Sequence, residues 1–233
     1  MPLSSREDAR RSPAAVVFDM DGVLIDSEPI WRAVEQQVFA TVGVVLDDDR
    51  CRETMGMRVN EVVDHWYRRF PWETPDPRAV EDAVVAGVVG ALRSTGAARP
   101  GVAHALDVCR AAGLRVAIAS SSYDVVIDAV LERLAIASAF DAVVSAQHVE
   151  RGKPDPAVYL RAIDALGVAP ADCVAIEDSV PGVRAARAAG MACIGIPEPG
   201  ADAAPLRAAG ATVVLESLLE LRPAHLEVGE ART

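Results

Sequence analysis

The sequence predicts a doubly wound α/β domain, a parallel sheet covered by helices on both faces, with an all-helical module inserted after the first strand. Three observations carry this. Short β-branched runs alternate with segments of helical spacing, as in chained βαβ units. The alternation stops over residues 28–97, where only helical spacing is found. Polar residues recur just after the strands, where open α/β sheets bind ligands.

The strand candidates are residues 14–18, 115–119, 141–144, 173–176, 192–196 and 212–215. Each is too short for a helix and is bounded by turn or polar residues, as a buried parallel strand is. Between them Val126, Ile127, Val130, Leu131 and Leu134 form one helical stripe. Tyr159, Ile163 and Leu166 form a second, closed by Gly167, and Val183, Ala186 and Ala189 a third, closed by Gly190. Glycine just past the last apolar residue suits a helix end. In the insert, Trp31, Val34, Val38 and Val42 mark one helix. Val59, Val62, Val63, Trp66 and Phe70 mark another, and Val80, Val84, Val85, Val88 and Leu92 a third. Pro71, Pro75 and Pro77 interrupt the middle. Pro29 suits a first helical turn, with Ser27 as its cap. The expected division is a core of residues 14–27 and 98–222, a helical cap of 28–97 hinged near 26–29 and 94–100, and disordered tails at 1–13 and 223–233.

Composition bounds the function. With 233 residues, 51% hydrophobic and 24% charged, the chain is an ordinary globular protein. Asp and Glu outnumber Lys and Arg by 34 to 23. A net charge of −11 argues against a nucleic-acid partner, but leaves room for a small anion in a locally positive pocket. No apolar run approaches the roughly 20 residues of a membrane span, and no signal peptide is visible. Cys51, Cys109, Cys173 and Cys193 lack C-x-x-C spacing, so buried free thiols in a cytoplasmic protein are expected. No heptad or exposed apolar stripe points to a partner chain, which leaves a monomer.

The strand ends carry the chemistry. After the first strand comes Asp19-Met20-Asp21-Gly22, after the second Ser120-Ser121-Ser122, after the third and a loop Lys153-Pro154, and after the fourth Glu177-Asp178-Ser179. Taken singly, each has a plain structural reading: turn capping, helix capping before Tyr123, a solvated loop lysine, and a helix start before Pro181. Together they place four carboxylates at one mouth, near the only lysine of the chain. Such carboxylates repel one another, and a divalent cation resolves the repulsion; hard oxygen donors select Mg²⁺. A compact ammonium suits a point contact to a phosphoryl oxygen or a carboxylate.

The segment V-V-F-D-M-D-G-V-L-I-D-S-E-P, from Val16 to Pro29, resembles the opening motif of the haloacid dehalogenase superfamily. Ser120, Lys153-Pro154 and Glu177-Asp178-Ser179 match its later motifs in order. The resemblance spans nearly the whole chain, with the helical insert in the place of the small cap, and implies a Rossmann-like core. It implies that Asp19 is the nucleophile that forms an aspartyl-phosphate, and that Asp21 is the general acid and then the base. It further implies that Ser120, the Ser121 backbone N–H and Lys153 hold phosphoryl oxygens. Mg²⁺ would be held by Asp19, the Asp21 backbone carbonyl and Asp178, with Glu177 as a ligand or close behind. The dehalogenating members lack an acid at the place of Asp21, so phosphoryl transfer is favoured.

A phosphosugar mutase of the β-phosphoglucomutase type is the nearest alternative. That branch carries a cap histidine where this chain has Trp31, and a cap lysine where this cap has none. Both departures favour net hydrolysis. Within the cap, M-G-M-R-V-N-E-V-V-D-H-W-Y-R-R-F-P-W (Met55 to Trp72) resembles the hexitol phosphatase or 2-deoxyglucose-6-phosphate phosphatase group. This implies a small phosphorylated sugar or sugar alcohol as substrate. Glu28, Trp31 and Arg58 are the candidates for contacting it. Trp66 lies on an apolar stripe and is expected in the core. A non-catalytic protein on the same fold would be favoured by loss of Asp19, Asp21, Lys153 or Asp178; all four are present.

Overall fold

The computed structural model describes residues 10–229. Its first strand, β1 (Arg10–Arg11), pairs antiparallel with the last, β8 (Val228–Gly229). The expected tails are therefore shorter than the sequence suggests. Leu226 and Val228 are buried in the main core, and Arg11 pairs with Asp172. Burying two apolar side chains outweighs ordering so short a segment. The rest of both expected tails, residues 1–9 and 230–233, lies outside the described residues.

Six further strands form one parallel sheet: β2 (Ala15–Phe18), β3 (Arg115–Ser120), β4 (Ala142–Ser145), β5 (Cys173–Glu177), β6 (Ala192–Gly195) and β7 (Val213–Val214). Their order is β4-β3-β2-β5-β6-β7. The chain thus starts at the centre, builds one side, and then crosses to the other. This puts the topological switch at β2, between β3 and β5, where the crevice for a ligand opens.

β2 is apolar and fully buried because both faces are covered. Val16 and Phe18 point into one core, Ala15 and Val17 into the other. α7 (Ala157–Leu166), α8 (Val180–Ala188) and α9 (Ala204–Ala209) cover the second face. α5 (Val102–Ala111) and α6 (Asp124–Leu134) cover the first, whose core runs on into the insert. α5, which the stripes did not single out, buries Val102, Ala105, Leu106 and Cys109.

Between β2 and α5 the insert is built of helices: α1 (Glu28–Thr41), α2 (Asp48–Glu53), α3 (Val59–Arg69) and α4 (Pro77–Thr95). Asp47 and Asp76 cap α2 and α4 by accepting from Arg50 N and Ala79 N. The core of these helices gathers Phe39, Trp66, Val84 and Val88, with Trp72 edge-on to Phe39. Trp66 is completely buried, and Trp72 packs on Phe39 and Tyr67 while its Nε1 donates to Pro75 O. The connections to the sheet run side by side. Asp26 N donates to Ala97 O, Arg99 N donates to Leu24 O, and Ile25 bridges Ala98. The four cysteines are buried with free thiols. Among the described residues, no helix is long and apolar enough to cross a membrane.

Phe39 is fully buried at the centre of the inserted helices. Phe39→Ala is expected to cost about 3–5 kcal/mol, read as a lowered urea midpoint by circular dichroism.

Candidate active site

Three adjacent strand ends at the switch point supply the polar groups: Asp19 after β2, Ser120 ending β3, and Glu177 ending β5. Each follows a buried apolar run, so the side chain is delivered by rigid backbone rather than by a free loop. Asp19 N donates to Ile176 O at 2.9 Å, which ties the first of these to β5.

Lys153 reaches in from the loop after β4. Its Nζ donates to Asp19 Oδ1 at 2.8 Å and to Glu177 Oε1 at 2.6 Å, with its side chain only 2% exposed. Both Glu177 oxygens are engaged. Oε1 also accepts from Tyr159 Oη at 2.7 Å, and Oε2 accepts from Asp178 N, Ser179 N and Ser179 Oγ. A Cβ at position 182 would lie 1.8 Å from Glu177 Oε1, so the glycine there makes room for the carboxylate. Glu177 therefore sits behind Lys153, holding it.

Asp21 faces the inserted helices. Its Oδ1 accepts from Ser27 Oγ at 2.6 Å and from Trp31 Nε1 at 2.9 Å, and its Oδ2 accepts from Ser122 Oγ at 2.7 Å. Ser27 precedes α1 but makes no capping bond; its hydroxyl serves Asp21 instead. The serine triplet likewise does not cap α6. Ser122 holds Asp21, and the Ser120 hydroxyl accepts from Ser122 N at 3.0 Å. Ser121 Oγ is buried without a partner among the described residues.

Asp19, Asp21, Ser121, Lys153 and Asp178 line one cleft, with α1 along its opposite wall. Glu28 and Trp31 line it too, while Ser120 and Glu177 support it from behind. Arg58 corrects the sequence reading. Its guanidinium donates to the carbonyls of Ala146, Val149 and Glu150 and to Glu61 Oε1, tying the inserted helices to the sheet side. Its two terminal nitrogens are engaged within the protein, and it is not among the residues that line the cleft. Ser27, Ser122 and Tyr159 are the site residues that sequence reasoning missed. Each carried a sufficient local explanation as a cap or an apolar stripe.

The electrostatics are unbalanced. Burial pushes Asp19 up to about 7, the charges of Glu177 and Asp21 add to this, and Lys153 opposes it. Asp178 is raised for the same reasons, burial first and then Glu177 and Asp19. Burial pulls Lys153 down, but the two carboxylates beside it outweigh that and hold it charged. One ammonium does not neutralise this group. Oxygens of Asp19, Glu177 and Asp178 lie within 4.8 Å of one another. Gly22 opens the space beside them, since a Cβ there would sit 1.8 Å from Asp178 Oδ2, and its φ of +73° suits glycine. These donors fit a divalent cation.

A family profile for haloacid dehalogenase-like hydrolases matches residues 13–190. The chain belongs to that family. Hexitol phosphatase B of Escherichia coli (strain K12) is 42% identical over 212 residues, covering 91% of this chain and 95% of that protein. A phosphorylated carbohydrates phosphatase of Thermotoga maritima is 33% identical, covering 76% and 82%. Among solved structures, CbbY of Rhodobacter sphaeroides in complex with phosphate superposes with a TM-score of 0.82 at 28% identity, covering 92% of this chain and 99% of that one. With relatives of this kind over most of its length, the chain is a phosphatase of the haloacid dehalogenase-like family.

Glu35 on α1 also lines the cleft, and burial together with Glu28 pushes its carboxyl up to about 8. The folded protein then keeps this proton to higher pH than the unfolded chain, so stability falls as pH rises from about 4.5 toward 8. Glu35→Gln removes that loss. The melting temperature of Glu35→Gln relative to the unchanged protein is expected to rise between pH 5 and pH 8 in parallel thermal scans.

Proposed function

We propose that this phosphatase hydrolyses small sugar or sugar-alcohol monophosphates, of the 2-deoxyglucose 6-phosphate or hexitol phosphate type, through an aspartyl-phosphate on Asp19. The observation that carries this reading is that Asp21 is held by Ser27, Trp31 and Ser122 at the same cleft into which Asp19 and Lys153 project. A nucleophile and an acid two residues apart are thus aimed at one phosphoryl group.

Asp19 attacks phosphorus, and the bond to the ester oxygen breaks. Asp21 gives its proton to the leaving alkoxide. In the second half Asp21 takes a proton from water, the water oxygen attacks the same phosphorus, and inorganic phosphate leaves with Asp19 regenerated. Lys153, fixed by Glu177 and Tyr159, offsets negative charge on the phosphoryl oxygens, and the Ser120–Ser121 turn supplies donors to them. Asp19, Asp178 and the Asp21 backbone carbonyl, with Glu177 as a ligand or close behind, would hold Mg²⁺, which would supply positive charge to offset that of the phosphoryl group.

The division of labour follows the topology. Residues 14–27 and 98–222 supply the chemistry, and the helical insert of 28–97 supplies selectivity as a cap. The only cation of the insert that lines the cleft is Arg32, and it donates to Glu28 at 3.3 Å. Trp31 donates to Asp21 from α1, so the cap helix takes part in placing the proton donor. The similarity to hexitol phosphatase B supports the substrate class. With no lysine in the insert and Trp31 beside Asp21, hydrolysis is favoured over a mutase reaction.

Two experiments test this. Phosphate release from a panel of hexose, deoxyhexose, hexitol and triose phosphates is expected to need Mg²⁺, to stop with chelator, and to fall at least about a thousandfold with Asp19→Asn. Release of product isomers without phosphate would point to a mutase instead. Trp31→Phe keeps the ring but removes the donor to Asp21. It is expected to lower kcat about ten- to a hundredfold with little change in KM; an unchanged kcat would detach the cap helix from proton transfer.

A further inference from the structure

Glu35 is not used by the mechanism above, and three features set it apart. It is 8% exposed. It lines the cleft. Among the described residues it has no hydrogen-bond or ion-pair partner; the one charge acting on it is the like charge of Glu28, whose own oxygen is taken by Arg32. Its oxygens open onto the cleft rather than onto a group of the protein, and burial there disfavours the charged carboxylate. Nothing in the fold needs it. Its neighbours around the cleft include Cys51, Val59, Val62 and Val85, among which an apolar side chain would pack.

Its place along α1 says what could replace the missing bonds. Glu28, Trp31 and Glu35 recur at helical spacing on the face turned to the cleft. Trp31 is pinned to Asp21, which anchors that part of the helix over the phosphoryl site. Glu35 lies one turn further on, roughly 6 Å along the helix axis. The same cleft runs from Asp19 and Lys153 to this wall, so an ester with its phosphoryl group at the first can place its other end at the second. An alcohol both donates and accepts, and a carboxyl in either protonation state offers at least one matching partner.

We propose that Glu35 is a specificity-determining residue that hydrogen-bonds the hydroxyl groups at the unphosphorylated end of the substrate, so that the cleft selects polyhydroxylated monophosphates over esters with apolar ends. This rests on the phosphatase reading of the site and adds to it the residue that reads the alcohol. A site built to bond a hydroxyl discriminates strongly against analogues that lack one, because its own polar group is then left unpaired.

The test compares the unchanged protein, Glu35→Leu and Glu35→Gln by kcat/KM for sorbitol 6-phosphate and for p-nitrophenyl phosphate, with melting temperature measured alongside. Glu35→Leu is expected to lower kcat/KM for sorbitol 6-phosphate about ten- to a hundredfold, to leave p-nitrophenyl phosphate within about threefold, and to melt at or above the unchanged protein. Glu35→Gln, which still donates and accepts, is expected to keep most of the preference. The inference is overturned if Glu35→Leu leaves the ratio of the two kcat/KM values unchanged. It is also overturned if that variant melts lower or fails to fold, which would assign the carboxyl a structural role, or if Glu35→Gln loses as much preference as Glu35→Leu. Failure of the unchanged protein to release phosphate from either ester is a separate outcome, and overturns the phosphatase reading on which the inference stands.

Discussion

The site depends on the confinement of three carboxylates, Asp19, Glu177 and Asp178, around one ammonium. Buried charges of one sign are tolerated only when hydrogen bonds and counter-charges meet them. Glu177 is met from every side by Lys153, Tyr159, Ser179 and two backbone N–H groups. Asp19 receives Lys153. Burial raises Asp19 and Asp178 against the pull of Lys153. That residual imbalance suits a divalent cation. The pairing of β2 with β5 brings their two ends close enough for the imbalance to arise.

The inserted helices enter this arrangement through a few directional contacts. Ser27 and Trp31 bond Asp21, and Arg58 grips backbone carbonyls beyond β4. Paired connections at Ile25 and Ala98 bring both ends of the insert to one place. The insert is thus held at its hinge, at the reacting carboxylate and at one arginine. The cleft between these contacts is lined by the α1 face that carries Glu28, Trp31 and Glu35. A layer attached in this way can vary its cleft-facing residues without disturbing the strand ends beneath, which separates selectivity from chemistry within one chain.

Much of the fold was legible because buried parallel strands leave a strong signature. Six apolar runs and the helical gap between the first two located every strand of the main sheet to within a residue or two. The short pairing of β1 with β8 left no such trace, since two-residue strands carry no periodicity. Trp66 was recognisable as core from its stripe, whereas Trp72 needed its contact with Phe39 to be placed. Arg58 looked free in sequence because its acceptors are backbone carbonyls nearly ninety residues away, which no motif encodes.

By itself the sequence determined the sheet, the helical insert and the residues at the strand ends, because these follow from local periodicity and from motifs a few residues long. It determined the family for the same reason. Tertiary structure alone decided who partners whom. Ser27 and Ser122 turned from caps into holders of Asp21, and Tyr159 from a stripe residue into a support of Glu177, while Glu35, which carried no signal in the sequence, came to line the cleft. The physical reason is that a hydrogen bond depends on distance and direction in space. Burial, which sets what a missing bond costs, depends on every element packed around the group.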